Sequence, residues 1–402
     1  MSPEAKRPRG AAIATVFVAL ASPLALAAVA AFAAPLLSCV LPSCVKISKT
    51  GTADAGADAK AVAIVDAAAP VATAAVDAAL SPAAAFERGK TLYGKYCDFC
   101  HGKQGEGYAA DEAPAIANPE FLRVASDEFL AKTIANGRPG TTMSGWSHGK
   151  GGPLSDADVT SLVAFIRGFQ ARPPEELSAE KVTGDAARGA PIYKKFCESC
   201  HGAEGRNGKY IALGGELLAV ANDDFLQKSI ERGRPGTPML AFDKLGKTAT
   251  SDLVALLRTW QKPVEQITEL PPRPGALKNV VINPKGPQPN FDAKADFVPV
   301  DLVKKEIDRG ATVIIADARA PSDYVRAHVV GAISVPFYEV EAYAKQIPKD
   351  RYILTYCACP HAVSVKARDT LRKLGYARAA VLDEGIMVWR DRGYGVRGGA
   401  KP

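Results

Sequence analysis

The sequence predicts a multidomain protein, two all-α domains followed by one α/β domain, and three observations carry that expectation. The first is an internal repeat, seen when the 402-residue chain is slid against itself by about 100 residues. Arg88-Gly-Lys-Thr-Leu-Tyr-Gly-Lys-Tyr-Cys-Asp-Phe-Cys-His matches Arg188-Gly-Ala-Pro-Ile-Tyr-Lys-Lys-Phe-Cys-Glu-Ser-Cys-His. Further on, Asp127-Glu-Phe-Leu-Ala-Lys-Thr-Ile and Gly137-Arg-Pro-Gly-Thr-Thr-Met match Asp223-Asp-Phe-Leu-Gln-Lys-Ser-Ile and Gly233-Arg-Pro-Gly-Thr-Pro-Met. The second is helical spacing without strand alternation in either copy. Val159, Leu162, Val163 and Ile166 recur every three to four residues behind a cap at Ser155 or Asp156, as do Leu253, Val254, Leu256, Leu257 and Trp260. The third is a change of pattern near the C-terminus, where 312–317 (Thr-Val-Ile-Ile-Ala-Asp) and 352–357 (Tyr-Ile-Leu-Thr-Tyr-Cys) are short strand-like runs. Each is followed by a polar turn and a helical stretch, which is the signature of buried parallel strands.

In order along the chain, Lys6, Arg7 and Arg9 precede an uncharged apolar stretch over 11–37, so residues 1–38 read as an export signal or membrane anchor with its basic flank inside. Leu36-Leu37-Ser38-Cys39 also resembles a lipoprotein box. An uncleaved anchor, a lipid anchor and a cleaved signal all put the body of the chain outside the cytoplasm, periplasmic or on the outer face of the membrane. Residues 39–83 are rich in Ala and Asp, lack a core-forming composition and read as a spacer. The helical copies occupy 84–170 and 184–262. A proline-rich linker, 263–295, is expected to be extended and semi-rigid, and the α/β domain follows over 296–400. A net charge of +7 without interleaved basic and aromatic faces argues against nucleic acid as a partner.

Chemistry is concentrated in Cys97-Asp-Phe-Cys100-His101 and Cys197-Glu-Ser-Cys200-His201. Two thiols three residues apart lie on one side of a helical turn, where both can add to the vinyl groups along one porphyrin edge, and the following His reaches iron from the same face. A thioether is suited to the opposite side, because soft sulfur favours ferrous iron. Met143 and Met239 sit in the repeated loop and are the candidates, with His148 near the first as a competing donor. A disulfide or a zinc half-site is the bland reading of one such motif. Zinc needs four ligands, and neither copy completes that set. The expectation is therefore two covalently bound haem c groups, with Cys97, Cys100, Cys197 and Cys200 as attachment points and His101, Met143, His201 and Met239 as iron ligands.

At this point the chain resembles class I cytochrome c, since a helix before the haem motif, the Gly-Arg-Pro-Gly-Thr-x-Met loop and a final helix come in that family's order. The resemblance implies small all-α domains, each wrapping a largely buried haem and shuttling one electron.

In the third domain, Asp317-Ala-Arg319, Tyr324, His328-Val-Val-Gly331 and Pro336 resemble the first sequence box of rhodanese domains, and Asp383-Glu-Gly385-Ile-Met-Val-Trp389 with Gly393-Tyr394 resembles the last. The resemblance implies that Cys357, at the end of the central strand, accepts a sulfane sulfur. Backbone N–H groups of its loop and the helix start behind it would lower the thiol's pKa, with His361 adding positive charge. The loop Cys357-Ala-Cys359-Pro360-His361 lacks the family's Gly and Arg and is lengthened, which puts thiosulfate as donor in doubt. Cys359 is open to three roles: second sulfur acceptor, resolving thiol or replaced loop residue. Arg319 and His328 are expected to hold the fold.

The reading is an extracytoplasmic dihaem cytochrome that passes electrons to a redox protein of a respiratory chain, coupled to sulfur or persulfide chemistry with a sulfane-sulfur donor. Two alternatives stand beside it: an independent sulfurtransferase fused to an electron carrier, and a catalytically silent docking module.

Overall fold

The computed structural model describes residues 80–402 apart from 109–112, 171 and 359–360. The signal or anchor, nearly all of the spacer, and Cys359 lie outside the described residues. Among those that are described, no helix is long and apolar enough to cross a membrane.

The first helical copy contains α1 (Pro82–Tyr96), α2 (Asp98–His101), α3 (Pro119–Val124), α4 (Asp127–Asn136) and α5 (Asp156–Arg167). The second contains α6 (Ala186–Phe196), α7 (Glu198–His201), α8 (Leu217–Val220), α9 (Asp223–Arg232) and α10 (Lys247–Thr259). Caps explain where several of these begin. Ser155 accepts from the Asp158 N–H while the Asp158 carboxylate takes the Ser155 N–H, a reciprocal box that starts α5. Ser126 and Asn222 cap α4 and α9 at equivalent positions, each side chain accepting from the N–H three residues on, of Phe129 and Phe225.

The repeated Arg-Gly pair sets the crossing of the first and last helix in each copy. A Cβ placed on Gly89 would lie 1.9 Å from the Ser161 carbonyl oxygen, and one on Gly189 would lie 2.3 Å from that of Asp252. Only glycine permits so close a backbone approach. The neighbouring Arg88 reaches Asp158 at 2.7 Å, and Arg188 reaches Asp252 at 2.8 Å. The core is then filled by Tyr93, Phe165 and Phe169 in one copy and Tyr193 with Trp260 in the other.

The copies pack on each other. Phe129 and Phe225 lie 4.4 Å apart by ring centroid, Asn118 Nδ2 donates to the Pro235 carbonyl at 2.8 Å, and Glu175, between the copies in sequence, ion-pairs with both Arg123 and Arg232.

The third domain holds β1 (Phe297–Val298), α11 (Val300–Asp308), β2 (Ile314–Asp317), α12 (Pro321–Arg326), β3 (His328–Val329), β4 (Ile333–Ser334), α13 (Val340–Ala344), β5 (Ile353–Tyr356), α14 (Ala362–Lys373), β6 (Ala379–Leu382), α15 (Gly385–Asp391) and β7 (Val396–Arg397). Five strands form a parallel sheet in the order β1-β6-β5-β2-β4, and β3 pairs antiparallel with β7. Helices cover both faces: Val303 and Trp389 pack on one side, Tyr343 and Leu371 on the other. Every residue of β2, β5 and β6 is buried, which is why these strands read as unbroken apolar runs.

The proline-rich linker is fastened to its neighbours rather than hanging free. Leu277, Val280 and Val281 pack into the sheet's core, Ile282 bridges to Val313, and the Glu265 carboxylate takes Arg326 at 2.9 Å. Proline content sets the extended backbone, but the apolar residues between the prolines decide that it lies against the domain.

Candidate functional site

In both helical copies the Cys-x-x-Cys-His motif forms a single turn after the first helix. The His101 N–H and the His201 N–H donate to the Cys97 and Cys197 carbonyls at 3.0 and 2.9 Å. Each imidazole then uses Nδ1 as a donor, His101 to Pro114 O at 3.0 Å and His201 to Ile211 O at 2.9 Å. A carbonyl only accepts, so Nδ1 carries the proton and Nε2 keeps its lone pair, the tautomer a metal ligand needs. Burial lowers the pKa of both rings and so favours the neutral form. Tyr93 and Tyr193 brace the turn from behind, their hydroxyls donating to the carbonyls of Gly102 and Gly202.

The methionine loops repeat bond for bond. The Arg138 N–H donates to Met143 O and the Arg234 N–H to Met239 O, both at 2.8 Å. Thr141 and Thr237 each accept from the methionine N–H while donating back to the arginine carbonyl. This closes the turn and holds each methionine partly buried at the same place.

The residues fit a haem group on two grounds. Among the described residues, no cluster of His, Cys, Asp and Glu with metal-ligand spacing exists. Arg138 is buried, with its Nε lacking any hydrogen-bond partner among the described residues, and a porphyrin carboxylate would satisfy such an orphan. Arg138 is close enough to lower the pKa of both His101 and His201, and its guanidinium donates to Ala212 O of the second copy at 2.6 Å. It therefore stands between the two sites. The repeated Gly-Arg-Pro-Gly string contains this residue, but its place between the copies is not visible in one dimension.

In the α/β domain Cys357 ends β5 and is 1% exposed. Its Sγ shares a hydrogen bond with Ser364 Oγ at 3.3 Å, on the first turn of α14. His361 has left-handed backbone, φ 81°, and its Nε2–H donates to Asp383 at 2.5 Å while Phe297 lies against its ring. Any positive charge on His361 is thus matched by Asp383. Arg319 clamps Asp317 and donates to Ala327 O, and His328 stacks on Tyr324 at 3.8 Å while its Nδ1–H donates to Tyr324 O. Both are framework residues.

The structure also brings together residues that are far apart in the sequence. Helix α14, which starts behind Cys357, lays Lys366 over the ring of Phe99 at 3.7 Å, and Phe99 is the residue just before Cys100. Phe337 meets Phe99 at 5.8 Å, Tyr338 meets Tyr96 at 6.1 Å, and both Phe337 and Tyr338 lie 6.3 Å from Trp146. Ser144, next to Met143, donates to Asp323 at 2.5 Å. The α/β domain thus sits on the first helical copy at its Cys-x-x-Cys-His turn and methionine loop. Phe99 sits at a variable position of the Cys-x-x-Cys-His motif, and Lys366, Phe337, Tyr338 and Asp323 carry no motif that would mark them.

Comparison with known proteins agrees with this division of the chain. The family described as cytochrome c oxidase, cbb3-type, subunit III matches residues 84–166 and 184–257, and the rhodanese-like domain family matches 299–392. The chain is 28% identical over 158 residues to the cbb3-type cytochrome c oxidase subunit FixP of Bradyrhizobium sp. (strain ORS 278), covering 37% of this chain and 52% of that one. It is 36% identical over 88 residues to the corresponding subunit CcoP of Azospirillum brasilense, covering 21% and 28%. A sulfurtransferase of Allochromatium vinosum is 31% identical over 81 residues, covering 20% of this chain and 75% of that protein. The chain spans about half or less of the length of the oxidase subunits it matches. Helical cytochrome c domains imply covalently bound haem c, and the parallel sheet with its cysteine-ended central strand falls within the residues that the rhodanese-like model matches. The chain is therefore a fusion in which two cytochrome c domains, each matched by the cbb3-type subunit III model, precede a rhodanese-like domain.

Proposed function

We propose that the chain is an extracytoplasmic dihaem electron carrier whose rhodanese-like domain feeds sulfur chemistry to the first cytochrome domain. Cys97 with Cys100 and Cys197 with Cys200 would hold the two haems, with His101, His201, Met143 and Met239 as the iron ligands. The bound group supplies reversible one-electron transfer. The chain's own residues orient and enclose it: the carbonyls of Pro114 and Ile211 fix the imidazoles, the threonine-closed loops present the methionines, and Arg138 supplies positive charge between the sites.

The observation that carries the coupling is the contact of Lys366 with Phe99. It joins the helix behind Cys357 to the first haem-attachment turn. Capture of a sulfane sulfur by Cys357 moves no net electrons; oxidation of the captured sulfur, with water as oxygen source, releases them as pairs that leave singly. A respiratory redox protein as acceptor is supported by the oxidase subunits among the relatives. Export is supported by the basic flank and apolar stretch over 11–37.

The test is the reduced-minus-oxidised spectrum of the full chain, purified from cells that attach haem, with and without a persulfide donor. Two haems per chain, reduced by the donor in the parent and not in Cys357→Ser, are expected. Unchanged reduction in Cys357→Ser would overturn the coupling.

A second reading, a docking module without sulfur chemistry, is favoured by the 1% exposure of Cys357. It predicts no persulfide on Cys357 by mass spectrometry after donor treatment, with the contacts to the first cytochrome domain intact.

A further inference from the structure

The duplication presents one face of the cytochrome domain in two settings. In the first copy this face is covered: Tyr96 and Trp146 are 6% and 8% exposed beneath Phe337 and Tyr338. In the second copy Phe196 and Phe242 occupy the equivalent positions, 6.2 Å apart, with no further aromatic ring packed against them among the described residues. Phe196 is 38% exposed. Leu240, which follows Met239 as Ser144 follows Met143, is 68% exposed. Where the first copy offers a serine to Asp323, the second offers bare leucine. Contiguous apolar surface of this kind marks an interaction site more often than chance solvent exposure.

Its rim is basic. Lys195 extends over the Phe196 ring at 5.0 Å, and Lys194, Lys244 and Lys247 are exposed on neighbouring positions, none of them in an ion pair among the described residues. Glu198 and Asp243 are the adjacent carboxylates, so the balance is positive.

The covered copy shows what fits such a face. There the occupant supplies an aromatic pair, Phe337 and Tyr338, and lines the cleft beside Lys95, the residue equivalent to Lys195, with Glu341 and Asp369 as well as Lys366 and Lys373, so it is the aromatic pair that the covered face shows, and the basic rim of the second copy that asks for carboxylates. We infer that the uncovered face of the second cytochrome domain, centred on Phe196, Leu240 and Phe242, is where the chain exchanges electrons with a separate one-electron protein that presents an apolar patch flanked by carboxylates. The first domain is closed to such a partner because the rhodanese-like domain already occupies its face. In the exchange one electron leaves the second domain and reduces the partner by one unit, with no atom or proton transferred. The inference rests on the dihaem reading but not on the sulfur reading.

The test uses the full chain with its haem content quantified, reduced by dithionite and freed of excess reductant. Its oxidation by plastocyanin, an acidic-faced one-electron protein used as probe, is followed by stopped flow at low and high salt. Lys195→Glu and Leu240→Glu are compared with Lys90→Glu, an exposed lysine on the first domain that makes the same charge change. The parent rate is expected to fall with salt. Each patch variant should slow the low-salt reaction on the order of tenfold, with Lys90→Glu within about twofold. Lys195→Glu lies outside the methionine loop, so it decides the matter should Leu240→Glu disturb Met239. Equal slowing in Lys90→Glu, no slowing in Lys195→Glu, or a dimer of the parent that Leu240→Glu dissolves would each overturn the inference. One haem per chain instead of two would count against the dihaem reading itself.

Discussion

The two cytochrome domains share a helix frame and a ligand loop yet differ in what touches them. Gly89 and Gly189 allow the same helix crossing, and Thr141 and Thr237 close the same loop. Around that common frame the first domain spends its outer face on Trp146, Tyr96 and Ser144, all engaged by the rhodanese-like domain, while the second leaves Phe196 and Leu240 exposed beside a half-buried Phe242. The internal frame is common to both copies, as are the residues proposed to hold haem. The outer face answers to the neighbour, which only one copy has.

Four changes would break or sharpen this comparison. The largest effect is expected from removing the thiols: Cys97→Ala with Cys100→Ala, and separately Cys197→Ala with Cys200→Ala, should each abolish one covalent haem and keep the other, read by haem content after acid extraction. Loss of both from either double variant would show that the domains do not mature independently.

Next in size, Trp146→Ala should cost about 3–5 kcal/mol because a buried aromatic leaves a cavity between two domains. Phe242→Ala at the half-exposed equivalent should cost about 1 kcal/mol. Chemical denaturation followed by Soret absorbance compares them, and equal costs would mean that the rhodanese contact adds nothing to the first domain.

Gly89→Ala and Gly189→Ala are expected to destabilise their own domains alike, by about 1–3 kcal/mol, since each forces a methyl into a backbone carbonyl. Unequal losses would show that the helix crossing is not a shared requirement.

The smallest effect concerns Glu175, the clamp between the copies. Its hydrogen bond from Arg232, with the charges of Arg232, Arg123 and Lys228 adding, holds its carboxyl at about 2 against an ordinary 4.5. A depressed carboxylate stabilises fully above its unfolded value and loses that contribution as pH falls from about 4.5 towards 2. Glu175→Gln should therefore cost about 1 kcal/mol or less at neutral pH after solvent screening, and the difference from the parent should vanish below pH 2. A gap that persists in acid would assign the effect to packing instead.

Much of this molecule is legible in the chain itself. The Cys-x-x-Cys-His motif and the methionine loop are each short and each recur, so local geometry places the one on a single turn and the other in a closed loop in both copies. The apolar runs ending at Asp317 and Cys357 announce buried strands because a strand covered on both faces needs no polar residue. The role of the proline-rich linker is less legible: its prolines predict an extended path, but Leu277, Val280, Val281 and Ile282 determine that it is strapped to the α/β domain. From its position in the loop His361 reads as a source of positive charge for Cys357, whereas its proton is directed to Asp383, a residue distant in sequence.

By itself, then, the sequence determined the repeated Cys-x-x-Cys-His turns and the cysteine that ends the central strand, because each depends on residues within a few positions of one another. Tertiary structure decided which domain meets which. Lys366 over Phe99, Arg138 between His101 and His201, and Asp323 against Ser144 join residues separated by tens to hundreds of positions. Such contacts leave no periodic or spaced signal in the chain, since they arise from the packing of whole faces after each domain has formed its own core.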